Sequence, residues 1–98
     1  MKRLPRKLTI TVSLEDILTG ARRSPCGCPV ALAVRRVGAT GVVVEPWWIV
    51  FKVNGIPCRP VDLPKEAREF IETFDAEGRD GVVPITFEVG PLKKIKNP

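Results

Sequence analysis

The chain has no histidine and no tyrosine, and its 98 residues include three cysteines, two tryptophans and four phenylalanines. Without histidine it lacks the residue that most often serves as general acid, as general base or as partner of a nucleophilic cysteine. It has no apolar run near the ~20 residues that cross a bilayer. Its charged start is not followed by the about 7–15 apolar residues of a signal peptide. These absences predict a cytoplasmic protein that is not an enzyme, uses no cofactor and contacts no membrane.

Length and composition indicate one globular domain. Hydrophobic residues make up 44% of the chain and charged residues 28%, as in ordinary folded proteins. The net charge of +5 is concentrated at the ends, where residues 1–7 carry four of the 16 basic residues and residues 93–98 carry three. The remaining nine basic residues face eleven acidic ones. We therefore expect a basic N-terminal tail over 1–7, one domain over 8–91 and a basic C-terminal tail over 92–98.

Hydrophobic periodicity predicts a mixture of strands and helices. Period-two alternation indicates strands, and spacing of three and four residues indicates helices. In chain order the predictions are a strand at 8–12, a short helix between Ser13 and Gly20, an apolar helix that starts at Pro29, strands at 41–45 and 47–53, a return strand at 56–61, a helix between Pro64 and Gly78, and a strand at 85–89. The order β-α-α-β-β-β-α-β predicts an α+β fold with a mostly antiparallel sheet of about 4–5 strands and helices packed on one face.

Three local signals define turns and ends. Ser13 and Asp16 have the spacing of a capping box. Asn54-Gly55 favours a type I′ hairpin turn. Pro57 and Pro60 lack the backbone N–H of a central strand and place the return strand at an edge.

The three cysteines raise the question of a metal site. Cys26, Cys28 and Cys58 supply three soft ligands, but structural zinc takes four, so a carboxylate such as Asp62 would have to complete the set. The spacing favours instead thiols that are buried as small hydrophobic groups. Cys28 also has features of a nucleophile, because a helix N-terminus lowers a thiol pKa. It lacks a histidine base, however, and we predict neither a metal site nor cysteine catalysis.

The stretch RRSPCGCPV, residues 22–30, is a candidate anion-binding loop. The first N–H groups of a helix are unsatisfied and attract phosphate or carboxylate. The candidate ligand-binding residues are Arg22, Arg23, Gly27, Cys28 and Val30. The alternative is a tight loop with solvated arginines that leads into a buried helix.

Two other surfaces are candidates for interaction. Trp47 and Trp48 point to opposite faces of a strand, so one of them is expected to be exposed, and exposed tryptophan is common at interfaces. The return strand, with Ile56 and Arg59, offers an edge at which two copies of the chain could pair. The basic tails could bind nucleic acid through its phosphates.

Several segments, taken in order, resemble a group of small uncharacterised proteins encoded by tailed bacteriophages. They are the early strand and helix ending at Gly20, the helix opening at 28–33, and the C-terminal run that includes Leu63-Pro64, Phe70-Ile71, Phe74-Asp75 and 83–87. The resemblance spans most of residues 8–89, whereas Cys26, the Trp pair and the tails fall outside it. It carries no catalytic residues. It implies an accessory protein made in an infected bacterial cell, in the host cytoplasm, which acts in host takeover or anti-defence by binding a host protein or sequestering a nucleotide-like signalling molecule.

Overall fold

The computed structural model describes residues 3–95, and its helices and antiparallel strands confirm the α+β class. The elements in chain order are β1 (Leu8–Val12), α1 (Leu14–Thr19), α2 (Pro29–Arg36), β2 (Ala39–Val44), β3 (Trp48–Val53), β4 (Ile56–Pro57), β5 (Val61–Asp62), α3 (Lys65–Glu77), a 3-10 turn at Arg79–Gly81, and β6 (Ile85–Val89). Within residues 3–95, none of the helices combines the length and the apolar composition that crossing a bilayer requires.

The strands form two antiparallel sheets. β1 pairs with β6 in a two-stranded sheet, and β2, β3 and β4 form a second sheet in which β5 also pairs with β3. The return strand expected over residues 56–61 is therefore divided into β4 and β5. Pro60 lies in the gap, where its missing N–H cannot contribute to the ladder.

One hydrophobic core joins the two sheets and the helices. α2 packs against both β1 and β2, and α3 packs against β6. The run that starts at Pro29 is buried because its small and β-branched side chains let both sheets approach it closely. The largest fully buried side chains include Phe51, Ile10, Ile17, Ile49, Val12, Val30, Val34 and Val89.

α1 begins with the predicted capping box. The Ser13 hydroxyl accepts from the Asp16 N–H at 3.2 Å, and the Asp16 carboxylate accepts from the Ser13 N–H at 2.9 Å. Asp16 is buried and its carboxylate also pairs with Arg36, so the start of α1 is tied to the end of α2. Among the apolar side chains of α1, Ile17 is buried, whereas Leu14 and Leu18 are exposed.

The β3–β4 hairpin turns at Asn54-Gly55 as predicted. Asn54 has a φ of 55° and Gly55 a φ of 77°, the positive values that a type I′ turn requires. The Asn54 side-chain amide donates to the backbone oxygen of Arg3 at 3.0 Å, which holds the N-terminal segment beside the turn.

The C-terminal end of the domain lies further along the chain than the boundary at residue 91. Leu92 is buried, and its N–H donates to the Arg6 oxygen at 2.8 Å. Lys94 forms an isolated antiparallel bridge with Cys58. Residues 92–95, which we call the C-terminal segment, thus cover the outer edge of β4 and are not a tail. Lys2 and Lys96, two of the predicted tail charges, lie outside the described residues.

Candidate functional site

A groove of about 590 Å³ runs along α3, between this helix and the loop that joins β2 to β3. Pro46 and Trp47 line the groove on the side of this loop, and Arg23 lines the groove near the end of α3. The other wall is one face of α3, because the lining residues recur at helical spacing. They are Lys65, Arg68, Glu69, Glu72, Asp75 and Ala76, with Ile71 beside them. The volume is in the range of ligand-binding clefts. We call it the α3 groove.

Charge along the α3 groove changes sign from one end to the other. Lys65 and Arg68 lie toward the start of α3, and three carboxylates follow them along the helix. Arg23 adds a positive charge beside the last of these carboxylates. Three positive and three negative side chains therefore line the groove, so it favours an occupant that carries both signs of charge.

Trp47 stands at this groove with its side chain held in place. It is 60% exposed, and the guanidinium carbon of Arg68 lies 5.2 Å from the centre of its ring. A cation over the face of an indole is attracted by the ring quadrupole. The Nε of Arg68 is buried and has no hydrogen-bond partner among residues 3–95. The indole of Trp47 and the guanidinium of Arg68 therefore form one contiguous surface at the groove.

The groove continues into a smaller hollow of about 160 Å³. The two share Arg23, Pro46, Ile71 and Asp75. Residues that line the hollow alone are Ser24, Pro25, Cys28, Val44 and Glu45. The cysteine-containing loop and the β2–β3 loop therefore contribute to one continuous surface with α3.

Arg22 fixes this loop against the end of α3. Its guanidinium donates to the Asp75 backbone oxygen at 2.9 and 3.2 Å and to the Ala76 oxygen at 2.7 Å. Arg23 has a φ of 54°, in the left-handed region, and its N–H donates to the Asp75 carboxylate at 2.8 Å. Both arginines therefore attach this loop to the end of α3.

The five anion-binding candidates do not converge on one anion site. Arg22 is engaged by the end of α3, while Arg23 lines the groove. The Gly27 N–H donates to the Ser24 hydroxyl at 2.9 Å. Cys28 and Val30 are buried. The start of α2 faces the core, where Val30 and Ala31 are buried, and this arrangement matches the alternative of a loop that leads into a buried helix.

The cysteines are separate from one another. Cys26 is exposed, whereas Cys28 and Cys58 are buried. Within residues 3–95 no group of three His, Cys, Asp or Glu side chains is close enough to hold a metal ion, so the three thiols do not form the candidate site. Burial raises the pKa of the Cys28 thiol, although the Ala31 and Val30 N–H groups oppose the shift. Burial raises the pKa of the Cys58 thiol as well. The expected lowering at Cys28 is therefore wrong, because desolvation outweighs the helix N-terminus.

The interface candidates lie on different surfaces. Trp47 lines the α3 groove. Trp48, also exposed, lies in β3 opposite Asp62. Ile56 is half-buried in β4, and the Arg59 N–H donates to the Lys93 oxygen at 2.8 Å. Because the C-terminal segment occupies this edge, the proposed edge-to-edge pairing of two copies at Ile56–Val61 is not available in this structure.

Sequence reasoning missed most of the α3 groove. Of the residues that line it, only Arg23 and Trp47 were candidate site residues from the sequence. A signal was present on the groove-lining face of the helix, where Lys65 and Arg68 precede three carboxylates. The opposite wall comes from residues about 20 to 50 positions earlier in the chain, and no local pattern reports that contact. Comparisons of the chain with protein-family models, with curated proteins and with solved structures find no match.

Proposed function

We propose that this protein is a non-enzymatic binding protein whose α3 groove holds a segment of another protein. The observation that carries the proposal is Trp47, an exposed tryptophan fixed by Arg68 at the edge of a groove. Tryptophan and arginine are the residue types most enriched among those that dominate interface energies. An indole that is already held in place loses little conformational entropy when a partner covers it.

The chemistry of the groove favours a protein segment over a simple anion. Lys65 and Arg68 suit acidic side chains or a carboxylate, and Glu72 and Asp75 suit basic ones. Pro46, Trp47 and Ile71 supply apolar contact between them. A segment of mixed charge with an apolar residue at its centre matches this order, and its orientation is determined by the two charged ends.

The resemblance to phage proteins suggests where the partner is found. A small accessory protein of an infected cell would bind a protein of the bacterial host, in host takeover or in the suppression of a defence. The partner is therefore sought first in bacterial lysate.

Capture experiments with matched tryptophan variants test the proposal. The wild type, Trp47→Ala and Trp48→Ala proteins are immobilised, and retained bacterial proteins are identified and then titrated in purified form. Because Trp48 lies away from the α3 groove, we expect Trp48→Ala to bind as the wild type does. Trp47→Ala should bind roughly 10–30-fold more weakly, as for a dominant interface residue. Equal binding by Trp47→Ala, or no protein retained above the level of an unrelated protein, would contradict the proposal.

A second candidate occupant is a nucleotide-like anion that stacks on Trp47. Arg68 and Arg23 favour it, because both line the same groove as Trp47 and supply positive charge for phosphates. A thermal-shift series with nucleotides distinguishes the two candidates. A rise in Tm that Arg68→Gln removes supports the small ligand, and no rise at millimolar nucleotide rejects it.

A further inference from the structure

The outer face of the four-stranded sheet carries an exposed tryptophan and several basic side chains. In β3 every second residue is buried in the core, and the residues between them, Trp48, Val50 and Lys52, point outward. Trp48 is 41% exposed, Lys52 is exposed and Val50 is half-buried. This face lies apart from the α3 groove, because neither Trp48 nor Lys52 lines the groove.

The C-terminal segment extends this face. Its bridge between Cys58 and Lys94 places Arg59 opposite Lys93, and the Arg59 N–H donates to the Lys93 oxygen at 2.8 Å. The Cys58 side chain is buried, so the side chains of its neighbour Arg59 and of Lys93 point to the other side of the ladder. We call Trp48, Val50, Lys52, Arg59 and Lys93 together the outer sheet face.

The three cations of this face have no acidic partner in the described part of the chain: Arg59 lies opposite Lys93, and Lys52 pairs with Pro57, two residues before Arg59. The ion pairs within residues 3–95 are Lys7–Glu88 and Arg36–Asp16, and neither involves Lys52, Arg59 or Lys93. Arg59 and Lys93 lie directly opposite each other. Like charges in this position destabilise a pair of strands. A polyanion on this face would relieve that repulsion, whereas a basic or neutral partner would not.

The tryptophan lies beyond the cations along β3. Lys52 lies four positions after Trp48, which corresponds to about 13 Å along a strand. Asp62 is paired with Trp48 across the sheet. An aromatic face accepts any nucleic-acid base by stacking, and a carboxylate beside it can accept from an exocyclic amino group of the base. The face therefore has one end suited to a base and the other suited to phosphates.

We propose that the outer sheet face binds single-stranded nucleic acid, with a base stacked on Trp48 and the phosphates held by Lys52, Arg59 and Lys93. A single strand is favoured over a duplex because stacking on an open sheet requires unpaired bases. The site is independent of the α3 groove and of the partner proposed there. Lys93 was expected to contribute from a basic tail, and the structure places it on the sheet.

Fluorescence anisotropy of labelled 12-nucleotide single strands of DNA and RNA tests this site in the full chain. Because the cations are few, we expect a Kd of about 1–100 µM at moderate salt. The slope of log K against log salt should be about −2 for three phosphate contacts on a single strand. Trp48→Ala should weaken binding about 10–100-fold, and Trp47→Ala should leave it unchanged.

Matched lysine variants separate this site from general attraction to a basic protein. Lys93→Gln removes a charge from the outer sheet face and should make the slope less negative by about 0.7. Lys94→Gln removes the same charge from the neighbouring residue, whose side chain lies on the other side of the ladder, and should have a smaller effect. In a Trp47→Phe protein, the remaining fluorescence of Trp48 should be quenched by the oligonucleotide.

Three outcomes would overturn the proposal. They are absence of binding at 50 mM salt with 100 µM protein, equal losses for Lys93→Gln and Lys94→Gln, and equal affinity for a duplex of the same sequence. Thermal unfolding of each variant establishes that it is folded. If instead Trp48→Ala reduces capture of a protein partner and does not affect oligonucleotide binding, the outer sheet face is a protein interface. The proposed role of the α3 groove is judged separately, from Trp47→Ala.

Discussion

Cys28 begins α2 with a sulfur atom in the place where an oxygen usually stands. Its Sγ accepts from the Ala31 N–H at 3.4 Å, the position at which a serine or aspartate normally caps a helix. A thiol is a weak hydrogen-bond acceptor, but it tolerates burial better than a hydroxyl does. Cys28 is buried at the start of α2, beside the hollow that continues the α3 groove. The choice of cysteine therefore reflects packing more than capping or reactivity.

Burial of this thiol makes stability depend on alkaline pH. The pKa of Cys28 is raised in the folded protein, mainly by desolvation, while an unfolded thiol titrates near about 8.5. The stabilising contribution is complete below that value and is lost as the pH rises toward the folded pKa. We expect Cys28→Ser, which keeps a cap and does not titrate in this range, to lose less stability than the wild type between pH 8 and 10.

Urea unfolding at several pH values measures this difference, with each protein's stability at pH 7 as its own reference. Cys58, whose pKa is also raised by burial, keeps part of the alkaline decline in the variant. A decline in Cys28→Ser as steep as in the wild type would show that ionisation of Cys28 does not limit stability.

At the scale of elements, the C-terminal end of α3 carries charges that oppose the helix dipole. The first turn has Glu66 beside Lys65, but the last turn contains acidic residues and no basic one. A helix is stabilised by the reverse arrangement. The fold supplies the missing positive charge from outside the helix, because Arg22 donates to the backbone oxygens of Asp75 and Ala76. The end of α3 and one end of the α3 groove thus depend on a residue 53 positions earlier.

Removal of Arg22 should therefore destabilise the protein although this residue is exposed. We expect Arg22→Ala to lower the free energy of unfolding by about 1 kcal/mol, since charged hydrogen bonds to a helix end are lost in contact with water. Arg23→Ala is the matched control: the Arg23 contact to α3 runs through its backbone N–H and survives the substitution. Urea denaturation of both variants gives the comparison, and equal losses would contradict the role assigned to Arg22.

Features that depend on neighbouring residues were predictable from the sequence. β1 and β6 have the expected bounds, the capping box of Ser13 and Asp16 forms, and Asn54-Gly55 adopts positive φ values. The reason for glycine at position 20, however, is not local. Gly20 ends α1 with a φ of −71°, so it is not needed for a left-handed cap. It is needed because a Cβ would lie 2.6 Å from Pro29, and that contact is invisible in a local pattern.

At the scale of the whole molecule, the missed features are those formed by distant segments. A single sheet was expected, but β1 and β6 form a sheet of their own, and α2 packs against one strand of each sheet. The α3 groove needs Arg23, Trp47 and α3 together. The sequence marks Trp47 as a candidate, yet it does not report that Arg68 holds its ring.

The two ends of the described chain meet and close the domain. The Leu92 N–H donates to the Arg6 oxygen, and the Ile95 N–H donates to the Pro57 oxygen at 3.2 Å. Leu92 is buried in the core, and the segment after it covers the outer edge of β4. An uncovered strand edge pairs readily with another chain. The C-terminal segment therefore completes the core and covers the edge of β4 at which another chain could pair.

Two truncations distinguish these effects from the effect of losing charge or length. A chain that ends at Pro91 lacks the whole C-terminal segment, and a chain that ends at Ile95 keeps all of it. We expect the first to lose about 2–4 kcal/mol of unfolding free energy, because a buried leucine and three backbone hydrogen bonds disappear. It should also self-associate in light scattering as its concentration rises, since the N–H of Arg59 and the oxygen of Pro57 become unpaired at an open edge. The chain that ends at Ile95 is the reference for both measurements, because it keeps the whole C-terminal segment. If the chain that ends at Pro91 is a monomer of unchanged stability, the C-terminal segment does not stabilise the domain and the edge of β4 does not self-associate when it is exposed.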